Sequence, residues 1–492
     1  DHVPVLALVG QSATEIMNTN FFQEMNQDPV FADVAEFHKQ VTNAAQIPYV
    51  VDEAIRSAYA SRSVSVVILP DDLSGQKIEF EGFKTRALAA VPQKPRLDDA
   101  VVTDVAQQLK AAKHPILWVG QGARRAKTAV IKVAEQFNLP TLSTAPATGT
   151  MPTDHPLFMG SRGRLGTKAA FEVSQAADLV LFVGTNYPFA RHLPGNIKFI
   201  QVNNNLADLG KQRDADTTVL ADANEFLTRL ADTGVTRQET AFVKAAKQDK
   251  ANWDMWLAKL AADDHAGLVA EGVMAAIKAA ATDDAVFGLD VGNNTEWAIR
   301  QLPFNHAQRF AMSAWYGTMG FGLPAGLAAK LSYPDKQVWS ISGDGGFAMV
   351  MPDILTEVKY QLPVVNVVLE NKALGYIGHE KIVAGQAPYG IDLVGADWAG
   401  MAENMGAIGF KATNLAELKV AMDKIATLQA NGNTKPIILD AKIKNVDPID
   451  TSFVPVDPDS FDAKMIAGYR QQYAVDEATQ PAFSTLLKQV KD

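Results

Sequence analysis

The sequence contains no cysteine. This absence excludes a disulfide framework, cysteine-ligated zinc, an iron–sulfur cluster and a cysteine nucleophile, and it fits a reducing compartment. No run of about 18 apolar residues occurs, so no transmembrane helix is indicated. Basic residues are in the minority, with 45 Lys and Arg against 55 Asp and Glu, and the net charge of −10 argues against a nucleic-acid partner. We therefore expect a cytoplasmic protein without a membrane or nucleic-acid partner.

The composition is that of an ordinary globular protein, with 47% hydrophobic and 20% charged residues. At about 100–200 residues per domain, 492 residues correspond to about three domains. The recurring unit is a short apolar strand, a turn that contains glycine, and a helix. Such strands are predicted at 5–9, 64–69, 116–120, 179–184, 199–202, 286–291, 338–342, 364–369 and 437–442.

Helical segments lie between these strands, among them 100–113, with Asp98-Asp99 as a candidate N-cap, and 415–428. Alternating strands and helices predict an α/β protein made of three Rossmann-like parallel-sheet domains. The continuous apolar runs indicate strands that are covered on both faces.

Changes in composition predict the domain boundaries. Segments rich in proline or charge separate the blocks of strands and helices, and the chain enters a predicted strand already at Val5. We interpret the first block as the C-terminal part of a domain that begins before Asp1. The predicted divisions are a partial first domain at 1–76, a linker at 77–96, a middle domain at 97–233, a connector at 234–264, a third domain at 265–445 and a tail at 446–492.

The strongest functional signal is the segment Gly343-Asp344-Gly345-Gly346, which directly follows a predicted strand and precedes a helix. A second strand ends about 25 residues later, just before Asn371. Glycines let the backbone approach a phosphate closely, and a helix N-terminus offers N–H groups to it. The side chains of Asp344 and Asn371 supply hard oxygen ligands, which Mg²⁺ prefers and commonly shares with ligand phosphates. The pattern predicts a site for Mg²⁺ and a phosphorylated cofactor.

This spacing resembles the signature of the thiamine diphosphate enzymes. The resemblance implies a third Mg²⁺ ligand, the main-chain carbonyl of Ala373, and makes 265–445 the domain that binds the diphosphate. It also implies that Asp290-Val291-Gly292 lines the thiamine pocket. Thr318-Met319 then lies beneath the cofactor, with Met319 forcing its two rings into a V shape; alone, this methionine would be interpreted as core filler.

The chain also resembles, over essentially its whole length, the phosphate-dependent, FAD-containing pyruvate oxidases of lactic bacteria. Three further segments carry this resemblance. They are Phe22-Gln23-Glu24-Met25-Asn26, Gly184-Thr185-Asn186-Tyr187-Pro188-Phe189-Ala190 and residues 371–380. The resemblance implies that pyruvate, phosphate and O₂ are converted to acetyl phosphate, CO₂ and H₂O₂ by a homo-oligomer, commonly a tetramer. The residues that it places at the reacting groups are Phe22, Gln23, Val291, Tyr376, Ile377 and Glu380.

The resemblance also implies that the middle domain binds FAD. Gly120-Gln121-Gly122-Ala123-Arg124 is only part of a dinucleotide-binding fingerprint. Polar segments at the ends of the other strands support it, because ligands of open α/β sheets bind there. The further candidates are Ser143, Thr144, Arg162, Arg164, Asn186, Tyr187, Pro188, Phe189, Asn203, Asn205, Asp222 and Ala223. Arg162 and Arg164 could neutralise a diphosphate or could be solvated loop charges.

In the thiamine enzymes a glutamate of the first domain activates the cofactor, and we assign none of the glutamates present to this role. We expect it upstream of Asp1, in the missing part of the pyrimidine-binding domain. Alternatives to the oxidase are an acetolactate synthase with structural FAD, a quinone-reducing oxidase at the membrane surface, and a catalytically silent binding protein. The segment 371–380 lacks the Gln- and Trp-rich continuation typical of the synthases, and 483–491 is short for a membrane-binding helix.

Overall fold

The computed structural model describes residues 2–83, 96–189, 193–265, 267–305, 307–383, 389–446 and 448. The chain divides into two compact units, Asp1–Lys94 and Pro95–Asp492. Fifteen strands are described, and every pairing between them is parallel. The predicted α/β class with parallel sheets is therefore confirmed. Within the described residues, no helix combines the length and the apolarity needed to cross a membrane.

The first unit contains one three-stranded sheet in the order β1-β3-β2. Its strands are β1 (Val5–Gln11), β2 (Phe37–Gln40) and β3 (Val64–Pro70), and its helices are α1 (Asp28–Phe31), α2 (Ile47–Ser61) and α3 (Asp71–Ser74). The prediction that β1 is covered on both faces is wrong, because Val5 and Leu8 are 44% and 58% exposed. The reason is that β1 pairs only with β3 and lies at the edge of the described sheet.

The second unit contains a central sheet of six strands in the order β6-β5-β4-β7-β8-β9. These strands are β4 (Pro115–Val119), β5 (Thr141–Ser143), β6 (Phe158–Ser161), β7 (Leu179–Val183), β8 (Lys198–Asn203) and β9 (Thr217–Leu220). The accompanying helices are α4 (Asp99–Ala111), α5 (Lys127–Phe137), α6 (Lys168–Ala176) and α7 (Ala223–Asp232). Numbered from β4, this is the strand order 3-2-1-4-5-6 of dinucleotide-binding folds, which changes direction between β4 and β7.

A second six-stranded sheet, the C-terminal sheet, has the order β11-β10-β12-β13-β15-β14. Its strands are β10 (Val286–Leu289), β11 (Arg309–Met312), β12 (Val338–Gly343), β13 (Val365–Glu370), β14 (Ile408–Ala412) and β15 (Ile437–Lys442). The helices are α8 (Ala241–Ala261), α9 (Ala270–Ala280), α10 (Asn293–Gln301), α11 (Gly322–Ser332), α12 (Asp344–Val350), α13 (Ile354–Tyr360), α14 (Gly375–Val383), α15 (Trp398–Asn404) and α16 (Leu415–Ala430).

The interior strands of both large sheets are covered on both faces, as expected. In β4, Leu117 packs into one apolar cluster and its neighbour Trp118 into another. In β13, Val367 and Val368 likewise belong to two different clusters. Alternate residues of a strand point to opposite faces, so each sheet separates two layers of core.

The predicted helix is confirmed. Of the candidate pair, Asp98 is the N-cap, because its carboxylate accepts a hydrogen bond from the Ala100 N–H at 2.9 Å, whereas Asp99 is the first residue of α4. The predicted connector at 234–264 contains α8. The domain boundaries stay predictions. Residues 84–95 of the proposed linker and nearly all of the tail at 446–492 lie outside the described residues.

The C-terminal sheet holds an ionisable side chain inside its core. Glu357 of α13 is 0% exposed, and its Oε2 accepts a hydrogen bond from Asn366 Nδ2 of β13 at 2.8 Å. Glu357 Oε1 and Asn366 Oδ1 have no hydrogen-bond partner among the described residues. Burial raises the pKa of Glu357 well above its ordinary value of 4.5, so the protonated form, which can donate a hydrogen bond, is favoured in the folded protein.

Glu357→Gln should change how stability depends on pH. A carboxyl whose pKa is raised by folding stabilises the protein fully below its unfolded-state pKa, and this contribution is lost as pH rises toward the folded-state pKa. The wild-type free energy of unfolding should therefore fall relative to that of the variant as pH rises above the ordinary glutamate pKa of 4.5. Urea titrations at several pH values measure this difference. Glu403→Gln, at an exposed position of α15, is the control; equal pH slopes for wild type and Glu357→Gln would contradict the prediction.

Candidate functional site

The site lies where three neighbouring strands of the C-terminal sheet end. β10, β12 and β13 are adjacent and parallel, so their carboxyl ends meet at one edge. The strand order changes direction between β10 and β12, which is where open α/β sheets bind ligands. A cleft at this edge has an empty volume of about 460 Å³, open solvent included. The predicted site residues that line it are Val291, Gly292, Met319, Gly343, Asp344, Gly345, Gly346, Asn371, Ala373, Tyr376 and Ile377.

Asp344 is the acidic group of this cleft, directly after β12. It is 3% exposed, and its Oδ2 accepts a hydrogen bond from the N–H of Lys372 at 2.9 Å. Its Oδ1 accepts from the N–H of Gly345 at 3.0 Å. Burial raises the pKa of Asp344 to about 6; these two N–H groups oppose the rise, and the nearby Glu370 adds to it. The two hydrogen bonds therefore fix the orientation of the carboxylate, and burial leaves its negative charge poorly solvated.

Asn371 and Ala373 are brought beside Asp344 by a tight turn after β13. Lys372 adopts a positive φ of 60°, which reverses the chain and directs its N–H to Asp344. The Asn371 Oδ1 accepts a hydrogen bond from the Ala373 N–H at 3.2 Å. Glu370, one residue earlier, is already paired with Lys442 at 2.8 Å.

The donor set fits a small divalent cation. A carboxylate, an amide oxygen and a main-chain carbonyl are hard oxygen ligands, and Mg²⁺ commonly takes only one or two protein side chains. No group of three or more His, Asp or Glu side chains that could bind a metal occurs in the described part of the chain. Asp344 with Asn371 and Ala373 therefore suits a cation that is shared with a ligand phosphate, and does not suit an all-protein metal cage.

The glycines of the turn after β12 have different neighbours. A Cβ atom on Gly346 would lie 2.7 Å from Asp290 Oδ2, and one on Gly345 would lie 2.8 Å from Leu374 Cδ2. Among the described residues other than its neighbours in the chain, a Cβ on Gly343 would meet only Asn294 Oδ1, at 3.7 Å. Close packing thus explains why glycine occupies positions 345 and 346. At Gly343 the backbone is open to the cleft, where a ligand phosphate could approach it.

Asp290 does not line the cleft, although the sequence places it among the cofactor-binding residues. It is 0% exposed. Its Oδ1 accepts hydrogen bonds from the N–H groups of Val291 at 2.7 Å, Gly320 at 2.8 Å and Phe321 at 3.3 Å. The carboxylate therefore holds the backbone beside Met319, whose side chain lines the cleft. Burial raises the pKa of Asp290, and the N–H of Val291 is the largest opposing influence.

Sequence reasoning missed the start of α10, which forms another wall of the cleft. Asn293, Asn294 and Trp297 line it. Asn294 Nδ2 donates to the carbonyl of Ile341 in β12 at 3.1 Å, so α10 is fixed to the neighbouring strand. The detectable signal was the pair of asparagines that follows Gly292, at the end of a predicted strand. Thr318, which was expected beneath the cofactor, is exposed, and its N–H donates to Ser313 Oγ at 3.2 Å.

In the central sheet, the turns after β4 and β7 lie against each other at the point where the strand order changes direction. The Gly122 N–H donates to the Gly184 carbonyl at 2.9 Å. A Cβ atom on Gly120 would lie 2.5 Å from that carbonyl oxygen, and one on Gly184, where φ is +69°, would lie 2.7 Å from the Ala123 nitrogen. Backbone packing between the two turns therefore requires these glycines.

Several polar residues predicted to bind FAD cap local structure. Asn203 Oδ1 accepts from the Asn205 N–H at 3.0 Å, and Asn205 Oδ1 accepts from the Ala207 N–H at 3.2 Å. Asp222 caps α7, accepting from the N–H groups of Asn224 and Glu225, both at 3.1 Å. Their role toward a nucleotide stays a prediction.

The remaining candidates lie near the carboxyl ends of the same strands. Ser143 Oγ is 3.4 Å from Thr148 Oγ1, and Thr144 and Ala223 are buried. Asn186 Nδ2 donates to Asp208 Oδ1 at 3.1 Å. The candidates Pro188 and Phe189 are exposed, whereas Arg124 lies with its Cζ 5.3 Å from the Phe310 ring centroid.

Tyr187 packs against the aromatic side chains of the central sheet. Its ring centroid is 4.8 Å from that of Trp118, and its hydroxyl donates to the Arg162 carbonyl at 3.3 Å. Burial raises the pKa of Tyr187 to about 12, and the positive charge of Arg162 opposes the rise. Tyr187 therefore stays neutral and keeps its hydroxyl proton.

Neither arginine after β6 is a solvated loop charge, so that alternative is wrong. Arg162 is 6% exposed and donates from Nε to Ser174 Oγ at 2.8 Å. Arg164 extends to α14, whose residues Tyr376 and Ile377 line the cleft and form what we call its mouth. The Arg164 Nη1 is 2.7 Å from Glu380 Oε1, and its Nη2 donates to the Tyr376 carbonyl at 3.1 Å. Its Cζ lies 3.7 Å from the Tyr376 ring centroid.

Two predicted site residues belong to the first unit. Phe22 is 78% exposed, and Gln23 has a positive φ of 64°, a conformation that non-glycine residues seldom adopt. Both lie in the loop between β1 and α1.

Comparison with known proteins agrees with this geometry. The C-terminal TPP-binding domain of thiamine pyrophosphate enzymes matches residues 290–441, and the central domain of the same enzymes matches 102–230. Pyruvate oxidase of Lactiplantibacillus plantarum is 36% identical over 99% of this chain and 81% of its own length. The putative thiamine pyrophosphate-containing protein YdaP of Bacillus subtilis is 35% identical over 91% and 77%. Acetolactate synthase isozyme 1 large subunit of Escherichia coli is 29% identical over 77% and 68%.

The chain belongs to the thiamine pyrophosphate enzyme family; thiamine pyrophosphate is another name for thiamine diphosphate. Within that family it is pyruvate oxidase-like over almost all of its length. The cleft at the ends of β10, β12 and β13 falls inside the segment matched by the family's cofactor-binding domain.

Gly120→Ala should lower the free energy of unfolding by about 1–3 kcal/mol, the usual cost of overpacking a tight contact. The added Cβ would collide with the Gly184 carbonyl oxygen at 2.5 Å. Thermal or urea unfolding measures the loss. Gly195→Ala is the matched control, because no described residue other than its neighbours in the chain has an atom within 4 Å of the added Cβ. Equal stability of both variants would contradict the close approach of the two turns.

Asp344→Ala should weaken Mg²⁺-dependent thiamine diphosphate binding by at least about 10–100-fold, the loss already typical for residues that only support metal ligands. Isothermal titration with and without Mg²⁺ measures the affinity, and circular dichroism checks that the variant is folded. The control is Glu403→Ala, at an exposed acid of α15. Unchanged affinity in Asp344→Ala would show that the cation binds elsewhere.

Proposed function

We propose that the chain is a pyruvate oxidase dependent on thiamine diphosphate, Mg²⁺ and FAD. It oxidatively decarboxylates pyruvate with phosphate and O₂ to acetyl phosphate, CO₂ and H₂O₂. The observation that carries the proposal is the contact of Arg164 with Tyr376 and Glu380. It joins a sheet of dinucleotide-binding order to the mouth of the thiamine cleft. A redox cofactor beside this cleft would accept the electrons released when pyruvate is oxidised, and thiamine diphosphate alone does not provide such an acceptor.

In this proposal, Asp344, Asn371 and the Ala373 carbonyl hold Mg²⁺, and the open backbone at Gly343 admits the diphosphate. Met319 supports the cofactor from below, and Asp290 fixes the backbone that carries Met319. Val291 and Gly292 form the adjoining wall. Bound thiamine diphosphate supplies the thiazolium ring, which accepts the electron pair that decarboxylation releases.

FAD is assigned to the carboxyl end of the central sheet. The turns at Gly120 and Gly184 lie at the change of strand direction, where a dinucleotide is expected to bind. Asn203 and Asp222 use their side chains as caps, so their main-chain groups are the better candidates for nucleotide contacts. Arg162 is held inside by Ser174, and the exposed Phe189, which packs edge-on against Tyr187, is a candidate to cover a ring system. When bound, FAD would supply a two-electron acceptor that O₂ can reoxidise.

At the mouth of the cleft, Glu380 handles protons for the substrate. Its side chain is 55% exposed, and Arg164 orients it through the 2.7 Å ion pair. Tyr376 and Ile377 line the cleft beside it and restrict the space next to the reacting carbon. Because Arg164 also lies across the Tyr376 ring, one cation fixes both the acid and the aromatic wall.

Self-association, with a tetramer as the expected form, is part of the proposal. Phe22 is 78% exposed in the first unit, and Trp315 and Tyr316 are 55% and 83% exposed in the second. Aromatic residues are enriched at the buried centres of protein interfaces. Such side chains are suited to contacts between copies of the chain.

The proposal is tested on the full-length protein with FAD, thiamine diphosphate, Mg²⁺ and phosphate. Anaerobic pyruvate should bleach the flavin absorption band and produce acetyl phosphate. Glu380→Gln should slow this reduction by about 10²-fold, the lower end of the range for a residue that transfers a proton. The exposed Glu403→Gln is the control and should behave as wild type.

The relatives that are acetolactate synthases make this transferase the second candidate. Formation of acetolactate without net flavin reduction would contradict the oxidase and favour the synthase. Absence of any product would favour a catalytically silent protein.

A further inference from the structure

Arg300, near the end of α10, is almost completely buried although it is charged. Its side chain is 2% exposed, and that of Glu296, one helical turn earlier, is 4% exposed. The Arg300 Nη2 lies 2.5 Å from Glu296 Oε1. The guanidinium also faces α8, with its Cζ 5.8 Å from the Trp253 ring centroid. A buried ion pair is by itself weak evidence for a contribution to stability, so the other contacts of the Arg300 guanidinium matter.

Two further hydrogen bonds of Arg300 reach the loop at 162–167, which follows β6 of the central sheet. Its Nε donates to the Gly166 carbonyl at 2.5 Å, and its Nη2 donates to the Arg164 carbonyl at 3.2 Å. A planar guanidinium can serve a carboxylate and two carbonyls at once, whereas a lysine ammonium lacks this forked geometry. Arg300 therefore connects the two large sheets at a point where water is excluded.

From the same loop, the Arg164 side chain continues to α14. It pairs with Glu380 and donates to the Tyr376 carbonyl at the mouth of the cleft. At the other end of the connection, α10 begins at the cleft, where Asn294 and Trp297 line its wall. The loop at 162–167 thus contacts α10, which forms one wall of the cleft, through its main-chain carbonyls. It contacts α14, at the mouth of the cleft, through the Arg164 side chain.

We propose that Arg300 is a positioning residue that fixes the loop at 162–167, so that Arg164 holds α14 at the mouth of the cleft. Arg300 acts through Arg164 and contacts no reacting group. The wall formed by α10 and the mouth formed by α14 are therefore linked through the central sheet. This linkage belongs to the chain without ligands; only its consequence for the rate of oxidation rests on the proposed function.

Hydrogen exchange of the unliganded full-length protein, followed by mass spectrometry, tests the linkage. Arg300→Lys keeps a positive charge beside Glu296 and loses the fork. Exchange at 162–167 and at 375–383 should become on the order of tenfold faster, the effect of losing one hydrogen bond to a charged group, while β12 stays unchanged. The control is Arg309→Lys, at an exposed arginine of β11 in the same sheet, which should change neither segment.

A second variant separates positioning from general loosening. Arg164→Met should speed exchange at 375–383, and adding Arg300→Lys to it should produce no further increase there. Additive effects, or a change confined to 162–167 in Arg300→Lys, would overturn the proposal.

If Arg300→Lys loosens the whole sheet, Gly166→Ala decides the question. Its added Cβ would collide with the Ser161 carbonyl, so it displaces the loop while leaving the Glu296–Arg300 pair intact. Faster exchange at 375–383 supports the proposal, and unchanged exchange there overturns it. Because no ligand is present, this result is independent of whether the protein oxidises pyruvate.

Discussion

The direction of the strands is the constraint on which the site depends. β10, β12 and β13 are neighbours and parallel, so the residues that follow them meet at one edge of the C-terminal sheet. Asp344 and Asn371 are distant along the chain, but these strand ends place them together. The positive φ of Lys372 then turns its N–H to the Asp344 carboxylate. A set of neighbouring oxygen atoms results that no single segment of the chain could form.

The central sheet also contributes to the cleft, because the loop after its strand β6 contacts α14. Its strand order changes direction at the turns that contain Gly120 and Gly184, which is where the proposed oxidase would hold FAD. The loop after β6 then reaches the cleft through Arg164 and receives two hydrogen bonds from the buried Arg300. In the proposed oxidase, this arrangement brings a thiamine site and a flavin site together and fixes the groups between them. The buried polar contacts make that geometry specific.

Much of the fold follows from the sequence because interior strands are continuous apolar runs. The prediction for residues 437–442 matches β15, and the others differ at their ends by one or two residues. Four of the missed strands, β2, β9, β11 and β14, lie at or near sheet edges and are partly exposed, so they lack an apolar run. β5 and β6 are only three and four residues long. The contact between Arg164 and Glu380 joins residues 216 positions apart, and local patterns cannot reveal it.

The central claim is that the edge formed by β10, β12 and β13 binds thiamine diphosphate through a divalent cation. The most direct measurement is a crystal structure of the protein with thiamine diphosphate and Mn²⁺, whose anomalous scattering locates the ion. The account predicts one peak at a distance of about 2 Å from a carboxylate oxygen of Asp344, the amide oxygen of Asn371 and the carbonyl oxygen of Ala373. An ion bound away from these three oxygens, with the cofactor at another edge of the sheet, would contradict it.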